Sequence, residues 1–211
     1  MASGVVTVLT GDDRYKKAEL SSGEKTYVFE VLVGLETDTH DMLGMITKID
    51  DAAKVEQQQL EQIVLALSKK EQQAIHAFSA KRYEGESYFD VAKKGKKPPQ
   101  TMQRTKILQW SFLSSKDKRV EELLQTSIEQ IKRVDGNFRQ KEVIQQWENI
   151  PLEIKNKYFT VLKCQVKTTK QFYVRALVRD IAAELQIPLT AYSITRIQNG
   201  PFRITDCVCV L

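Results

Sequence analysis

Residues 25–44, KTYVFEVLVGLETDTHDMLG, are the stretch from which the rest of the chain can be organised. The first half is rich in Tyr, Val and Phe, which favour strands, and it stops at Gly34. The second half carries Asp38 and Asp41 among threonines, a pattern typical of a loop whose carboxylates cap backbone N–H groups. We therefore predict a strand over residues 25–34 followed by a capped loop.

The segments around this strand alternate between strand and helix patterns without a regular βαβ rhythm. Residues 158–169, YFTVLKCQVKTT, alternate as a strand does, whereas residues 55–67 and 174–185 carry apolar stripes at helical spacing. This mixture predicts an α+β fold. Further strands are predicted at residues 5–9, at residues 105–113 and on both sides of a turn at residues 199–201.

Residues 116–150 differ in character from the segments on either side. Two apolar stripes on otherwise polar helices are separated by Asp135, Gly136 and Asn137, a pattern that predicts a helical hairpin. Because a strand pattern resumes soon afterwards, we place the hairpin inside a helical insertion spanning residues 115–155.

Composition favours some classes of function over others. The net charge is +5, and residues 93–106, KKGKKPPQTMQRTK, contain no acidic side chain. This loop is either a solvated linker or a contact for phosphates. Three cysteines without a CxxC pair, and two histidines without ligand spacing, argue against a disulfide framework, a metal centre and a Ser-His-Asp triad. No apolar run is long enough to cross a bilayer and no secretory signal is visible, so we expect a cytoplasmic protein.

Four segments together resemble the bacterial tRNA pseudouridine synthase B family, TruB. KTY followed by GLETDTHDMLG resembles the family pattern KxY…GxxTDTxDxxG, and FSAKRYEGESYFDVAKKG resembles YSAxKxxGxxxYxxARxG. KQFYVRALVRDIAAEL is similar to KGTYIRxLxxDLGxxL, and SITRIQNGPF is similar to xLRRTxxGPF. The segments occur in the family's order and cover most of the chain outside residues 115–155.

The resemblance implies a single catalytic-type domain with the pseudouridine synthase fold over residues 1–211. It implies isomerisation of the T-loop uridine at position 55 of tRNA, with the tRNA T-arm as partner, no cofactor and no metal. We expect a monomer without a membrane partner and without the small C-terminal PUA-like domain of many relatives. The alternative is a catalytically inactive remnant that still binds or helps to fold tRNA.

The resemblance also assigns roles to individual residues. Arg175 matches the arginine that pairs with the catalytic Asp; otherwise it is an arginine in an ordinary surface pair. Tyr27 matches the tyrosine that stacks on the flipped base and is a candidate to remove its C5 proton, and Tyr173 matches an aromatic pocket wall. Either tyrosine could instead be a core residue. Ile194 stands in place of a pocket leucine.

RNA-gripping residues are implied as well. Arg82 and Lys93, with the basic loop up to Lys106, match the region that holds the T-arm. The helical insertion is either a packing feature or a further tRNA contact through its basic residues, which are Lys116, Lys118, Arg119, Lys132 and Arg133.

The resemblance places the catalytic Asp outside the printed sequence. In the family, the ASG that here follows Met1 is preceded by GHTGTLDPL, so the Asp would lie two residues before Met1. We therefore expect Arg175 to face a socket with no acid from this chain. We also consider that the chain does not fold alone, because the missing first strand would leave a sheet edge unpaired.

Overall fold

The structure is a computed structural model that describes residues 2–136 and 138–208. Its strands are β1 (Ala2–Gly4), β2 (Lys25–Val33), β3 (Leu35–Thr37), β4 (Ile46–Ile49), β5 (Gln72–Ala74), β6 (Arg82–Tyr83), β7 (Glu86–Ser87), β8 (Met102–Arg104), β9 (Ile107–Arg119), β10 (Tyr158–Thr168), β11 (Leu189–Asn199) and β12 (Phe202–Arg203). The α-helices are α1 (Lys17–Ser22), α2 (Gln57–Ser68), α3 (Tyr88–Lys93), α4 (Val120–Lys132), α5 (Gln140–Glu148), α6 (Leu152–Lys155) and α7 (Val174–Leu185). Short 3₁₀ helices cover Gly11–Lys16 and Ile204–Asp206.

A mixed sheet organises the fold. Its strand order is β1–β11–β2–β10–β9, and β12 also pairs with β11. β1 runs parallel to β11, whereas the other pairings are antiparallel. The register places Tyr27 of β2 opposite Val166 of β10 on one side and Arg196 of β11 on the other. Helices cover this sheet, so the predicted α+β class is confirmed.

The sheet carries an apolar core on each face. The first core joins Phe29, Cys164 and Val166 to α2 and α7. The predicted stripe on α7 is buried there in full: Val174, Leu177, Val178, Ile181 and Leu185. The second core joins Phe159 and Val161 of β10 to α4 and α5. β10 is therefore buried on both faces only around Phe159–Leu162; further along, Lys163 is exposed and Gln165 and Lys167 are half-buried.

The beginning of the chain differs from the prediction. Residues 5–9 do not form the predicted strand; Ala2–Gly4 form it instead, and Val6 and Val8 are exposed. The reason lies in the edge of β11. β1 pairs with residues 194–196, and β12 then occupies Gln198 and Asn199. After Val5 the chain therefore cannot extend β1 along β11, because β12 already pairs with the next positions of β11.

The helical segment begins later than predicted. Residues 115–119 continue β9, which pairs with β10 as far as Arg119 opposite Tyr158. Their polar sequence gave no apolar alternation, because most side chains at this edge of the sheet are exposed. We therefore define the helical segment as residues 120–155. Val120, Leu123 and Trp147 of the predicted stripes are buried, and Asn137 of the predicted break lies outside the described residues.

Candidate active site

A cavity of about 610 Å³ lies where β1, the loop after β3, β6 and the first turn of α7 meet. Three of the predicted site residues line it: Arg82, Arg175 and Ile194. Ala2 also lines it and pairs with Ile194 across the parallel β1–β11 ladder. The rest of the wall is formed by Thr39, Asp41, Leu43, Phe78, Ser79, Ala80, Ser87, Phe89, Phe138 and Arg139.

Arg175 is held by an acid from this chain. Its guanidinium donates to the Asp41 carboxylate at 2.9 Å and to the Phe78 carbonyl oxygen at 2.9 Å. The expectation of an empty socket was wrong, because the loop after β3 brings Asp41 beside the first turn of α7. The pair is well covered, with side-chain exposures of 22% for the arginine and 11% for the aspartate.

The two aspartates of the TDTHD motif hold the loop that they belong to. Asp41 Oδ1 accepts from Thr39 Oγ1 at 2.7 Å and from the Leu43 amide at 3.0 Å. Asp38 Oδ1 accepts from the Met45 amide at 2.9 Å. The side chains thus make the predicted caps, and each also binds an arginine, which local sequence did not indicate.

Tyr27 and Tyr173 lie close enough to interact electrostatically, but neither lines the cavity. Burial raises the pKa of Tyr27, Arg196 opposes the shift through its charge and a hydrogen bond, and the Tyr173 phenol adds a smaller rise. Tyr173 precedes α7, where its N–H donates to Gln73 Oε1 at 2.9 Å and its carbonyl accepts from Gln73 Nε2 at 3.1 Å. Buried Gln73 therefore fixes the start of the helix that carries Arg175.

Two histidines that sequence reasoning set aside meet close to Arg175. His40 Nδ1 and His76 Nε2 are 3.0 Å apart, and the Phe78 amide donates to His76 Nδ1 at 3.1 Å. His76 must then carry its proton on Nε2 and donate it to His40. Burial, reinforced by the charge of Arg175, lowers the pKa of His76 to about 2. Burial also lowers the pKa of His40. The pair is neutral at pH 7.

Phe138 and Arg139 enter the cavity wall from the connection between α4 and α5. Arg139 forms a bidentate pair with Asp38, with N–O distances of 2.8 and 3.2 Å, and its guanidinium lies 4.9 Å from the centre of the Phe78 ring. The Phe138 ring packs on Phe89 at 5.1 Å. Sequence reasoning missed both residues, because only the break between two helical stripes was visible there.

The basic residues are distributed over several surfaces. Arg82 lines the cavity, whereas Lys93 ends α3 and does not. Lys116 and Lys118 belong to β9, not to the helices; Lys116 lies 4.0 Å from Glu30, and Lys118 lies over the Tyr192 ring. The predicted grouping of these basic residues on one hairpin is wrong: they lie on an edge strand and at the end of α4.

Over residues 2–136 and 138–208, no group of three or more His, Cys, Asp and Glu side chains is placed to hold a metal ion. No helix in the same residues has the length and apolar character needed to span a bilayer.

The fold is similar to that of one chain in a solved protein complex. A chain of the "Crystal Structure of a Cbf5-Nop10-Gar1 Complex" superposes with a TM-score of 0.50 at 11% identity, covering 96% of this chain and 38% of that one. At this identity the likeness supports the fold alone. The shared fold is the α+β architecture with a mixed sheet described above.

Sequence comparison places the chain in one protein family. The family described as "TruB family pseudouridylate synthase (N terminal domain)" matches residues 1–131, more than half of the chain. The chain belongs to the TruB family, as the four motifs predicted.

Individual relatives agree with this assignment. The tRNA pseudouridine synthase B of Mesomycoplasma hyopneumoniae (strain 232) is 33% identical over 96 residues, which cover 46% of this chain and 29% of that protein. The tRNA pseudouridine synthase B of Clostridium perfringens (strain SM101 / Type A) is 24% identical over 201 residues, which cover 95% of this chain and 54% of that protein. The match therefore spans about half or less of the length of these two relatives.

Proposed function

We propose that this chain provides the catalytic-type domain of a tRNA pseudouridine synthase acting on the T-loop uridine at position 55. The observation that carries the proposal is the cavity that holds Arg175, Ile194 and Arg82, which come from three of the four family motifs. Membership of the TruB family supports the reaction, and the relatives' printed names supply its substrate class.

The reaction requires a cavity that takes a base out of its RNA. The N1–C1′ bond breaks, the uracil turns, a C5–C1′ bond forms, C5 loses its proton and N1 gains one. The base must be flipped out of the folded loop to allow this. A volume of about 610 Å³ lies within the range of ligand sites, and the wall combines apolar groups with a few polar ones.

We assign the residues beside the cavity to the steps that the resemblance implies. Tyr27 stacks on the base and accepts the C5 proton, with Tyr173 as a second aromatic wall. Arg196 opposes the effect of burial on the Tyr27 pKa, although that pKa stays above its ordinary value. Ile194 provides an apolar contact for the base.

We assign to Asp41 the task of holding Arg175 rather than attacking the sugar. Asp41 Oδ1 accepts two hydrogen bonds and Oδ2 pairs with the guanidinium, so both oxygens are engaged in holding the loop and Arg175. We propose that the attacking carboxylate is carried by residues joined before Met1. Ala2 already lines the cavity, so an acid a few residues ahead of it is within reach of Arg175.

We propose that Arg82, Lys93 and the basic loop hold the T-arm by its phosphates. Arg82 lies at the cavity wall, and its hairpin leads into α3, which ends at Lys93. Such contacts orient an RNA without reading its bases, and recognition of the loop then rests on shape and stacking.

Tritium release from tRNA labelled at uridine C5 tests this proposal. We expect turnover from the chain joined to a leading Gly-Thr-Leu-Asp-Pro-Leu segment that replaces Met1. The matched control carries Asn in place of that Asp and should release no tritium. Equal release by both forms, or by the 211-residue chain alone, would contradict the assignment of the acid.

The alternative function, tRNA binding without chemistry, is favoured by one observation: Arg175 and Asp41 already satisfy each other. Under that alternative, the extended chain binds a T-arm stem-loop and releases no tritium. A filter-binding titration on the same samples separates the two functions.

A further inference from the structure

The connection between α4 and α5 forms a wall of the cavity with residues that belong to none of the four motifs. Phe138 and Arg139 both line the cavity. The segments that they contact are motif segments: Asp38 lies in TDTHD, and Phe78 and Phe89 lie in FSAKRYEGESYFDVAKKG. This contact spans 101 residues of sequence between Asp38 and Arg139.

The backbone conformation and the buried Nε of Arg139 both carry a cost in stability. Its backbone is left-handed, with φ of +62°, which is costly for a long side chain. Its Nε is buried with no acceptor among the described residues. The bidentate pair with Asp38 and the contact with the Phe78 ring hold it there nonetheless. Strain kept in place by surrounding contacts is typical of functional sites.

The adjacent residues fix the position of the Phe138 ring. Gln140 donates to the carbonyls of Val134 and Gly136 at 3.0 and 2.6 Å and accepts from the Phe138 amide at 2.8 Å. Gly136 has φ of +97°, and a Cβ there would lie 2.8 Å from the Phe138 ring. The loop therefore presents Phe138 in one place, against Phe89.

Phe138 combines a fixed position with exposure. The side chain is 37% exposed although it lines the cavity, and its ring meets Phe89 at 61°, an edge-to-face contact. An aromatic ring that is fixed and partly open to an RNA-binding cavity is suited to stacking on an unpaired base, because every base has a π face.

We propose that Phe138 is a stacking platform for the nucleobase next to the target uridine, and that Arg139 is its positioning residue. The proposal rests on the proposed function, since it needs a flipped uridine in this cavity. It makes the helical segment a determinant of which RNA loops are accepted, because the base beside the uridine must reach the α4–α5 connection.

The test uses a T-arm RNA stem-loop with 2-aminopurine on either side of the target uridine and the full 211-residue chain. Stacking quenches 2-aminopurine fluorescence, so the wild-type chain should quench one of the two probes. Phe138→Leu should abolish that quenching and weaken binding about tenfold. Phe138→Trp should keep both the quenching and the affinity for the stem-loop. The matched control is Tyr158→Leu, which removes an aromatic side chain that is 66% exposed and lies outside this cavity.

Arg139→Lys tests the positioning role separately. It keeps the charge and loses the fork that binds Asp38, so quenching should fall while Phe138 is still present. Thermal unfolding of each variant identifies a general loss of fold. Melting temperatures close to wild type with lost quenching support the proposal.

The outcomes distinguish a failure of the stacking role of Phe138 from a failure of the proposed function. If the wild-type chain binds the stem-loop and Phe138→Leu binds and quenches equally well, the platform is contradicted and RNA binding stands. If the wild-type chain does not bind the stem-loop, the proposed function is contradicted and the platform falls with it.

Discussion

At the scale of single residues, Arg175 shows how one side chain connects separate parts of the chain. It lies in the first turn of α7, pairs with Asp41 from the loop after β3, and donates to the carbonyl of Phe78 from a third segment. Sequence identified Arg175 and Asp41 one by one, through their motifs. The pairing was not visible, because nothing local relates the two positions.

Asp41→Asn should lower the free energy of unfolding by about 2 kcal/mol. The change leaves Arg175 without its ionic partner, and the loss stays below that of a fully buried pair because the guanidinium is 22% exposed. Urea unfolding measures it. Asp13→Asn, which breaks the exposed Lys16–Asp13 pair, is the control and should cost less than about 0.5 kcal/mol. Equal losses of unfolding free energy in the two variants would show that the Arg175–Asp41 pair is as solvated as the Lys16–Asp13 pair.

The histidine pair should make the fold sensitive to acid. The pKa of His76 is about 2 in the folded chain, against 6.5 for the ordinary side chain. Between these values the unfolded chain binds the extra proton, so stability falls as pH drops below about 6.5, by up to about 1.4 kcal/mol per pH unit. The urea midpoint of unfolding, measured at pH 7.5, 6.0 and 5.0, should fall less steeply with decreasing pH for His76→Gln than for the wild-type chain. Parallel profiles would contradict a neutral His76.

At the scale of elements, the outer edge of β11 explains the beginning of the chain. Three short pieces occupy that edge: an isolated bridge from Asp41 to Ala191, β1 along residues 194–196, and β12 along Gln198 and Asn199. The expected unpaired edge is therefore partly covered. That coverage could not be predicted, because pieces of two or three residues carry no periodicity.

Gly4→Ala should detach β1. Gly4 has φ of +102°, and a Cβ there would lie 2.2 Å from the Arg196 carbonyl oxygen. The Val5 amide, which donates to that oxygen at 2.8 Å, should then exchange its hydrogen faster. Gly11→Ala is the control: φ is +54° with nothing within 4 Å of the new carbon, so only a backbone cost of about 1 kcal/mol applies. Unchanged protection of Val5 in Gly4→Ala would contradict the pairing.

At the scale of the whole molecule, the parts that sequence predicted are those with long local patterns. β2, β10, α2 and α7 are each between 9 and 12 residues long, and each lies close to its predicted place. The extension of β9 to Arg119 and the position of Phe138 in the cavity wall depend on contacts with distant segments. Of the residues predicted for the site, Arg82, Arg175 and Ile194 line the cavity, whereas Tyr27, Tyr173 and Lys93 do not, and the wall that the helical segment adds was not predicted.

The overall charge should make RNA binding depend on salt through the basic loop. Lys96→Gln with Lys97→Gln removes two cations from that loop. The slope of log affinity against log salt should flatten by about 1.5, since each phosphate contact contributes about 0.7–0.9. Lys69→Gln with Lys70→Gln, at the end of α2, is the matched control of equal charge and should leave the slope unchanged. Equal flattening of the slope in both double variants would show that net charge, and not the basic loop, causes the salt dependence.

We expect the target uridine to enter the cavity beside Arg175. Cross-linking tests it most directly, with 4-thiouridine at the target position of a T-arm stem-loop and mass spectrometry of the cross-linked peptides. The predicted cross-links fall in residues 25–44, 170–179 and 191–196, because these ranges contribute Thr39, Asp41, Arg175 and Ile194 to the cavity wall. Cross-links confined to the exposed apolar surface of Val6, Val8 and Phe202, or to β9, would contradict the claim.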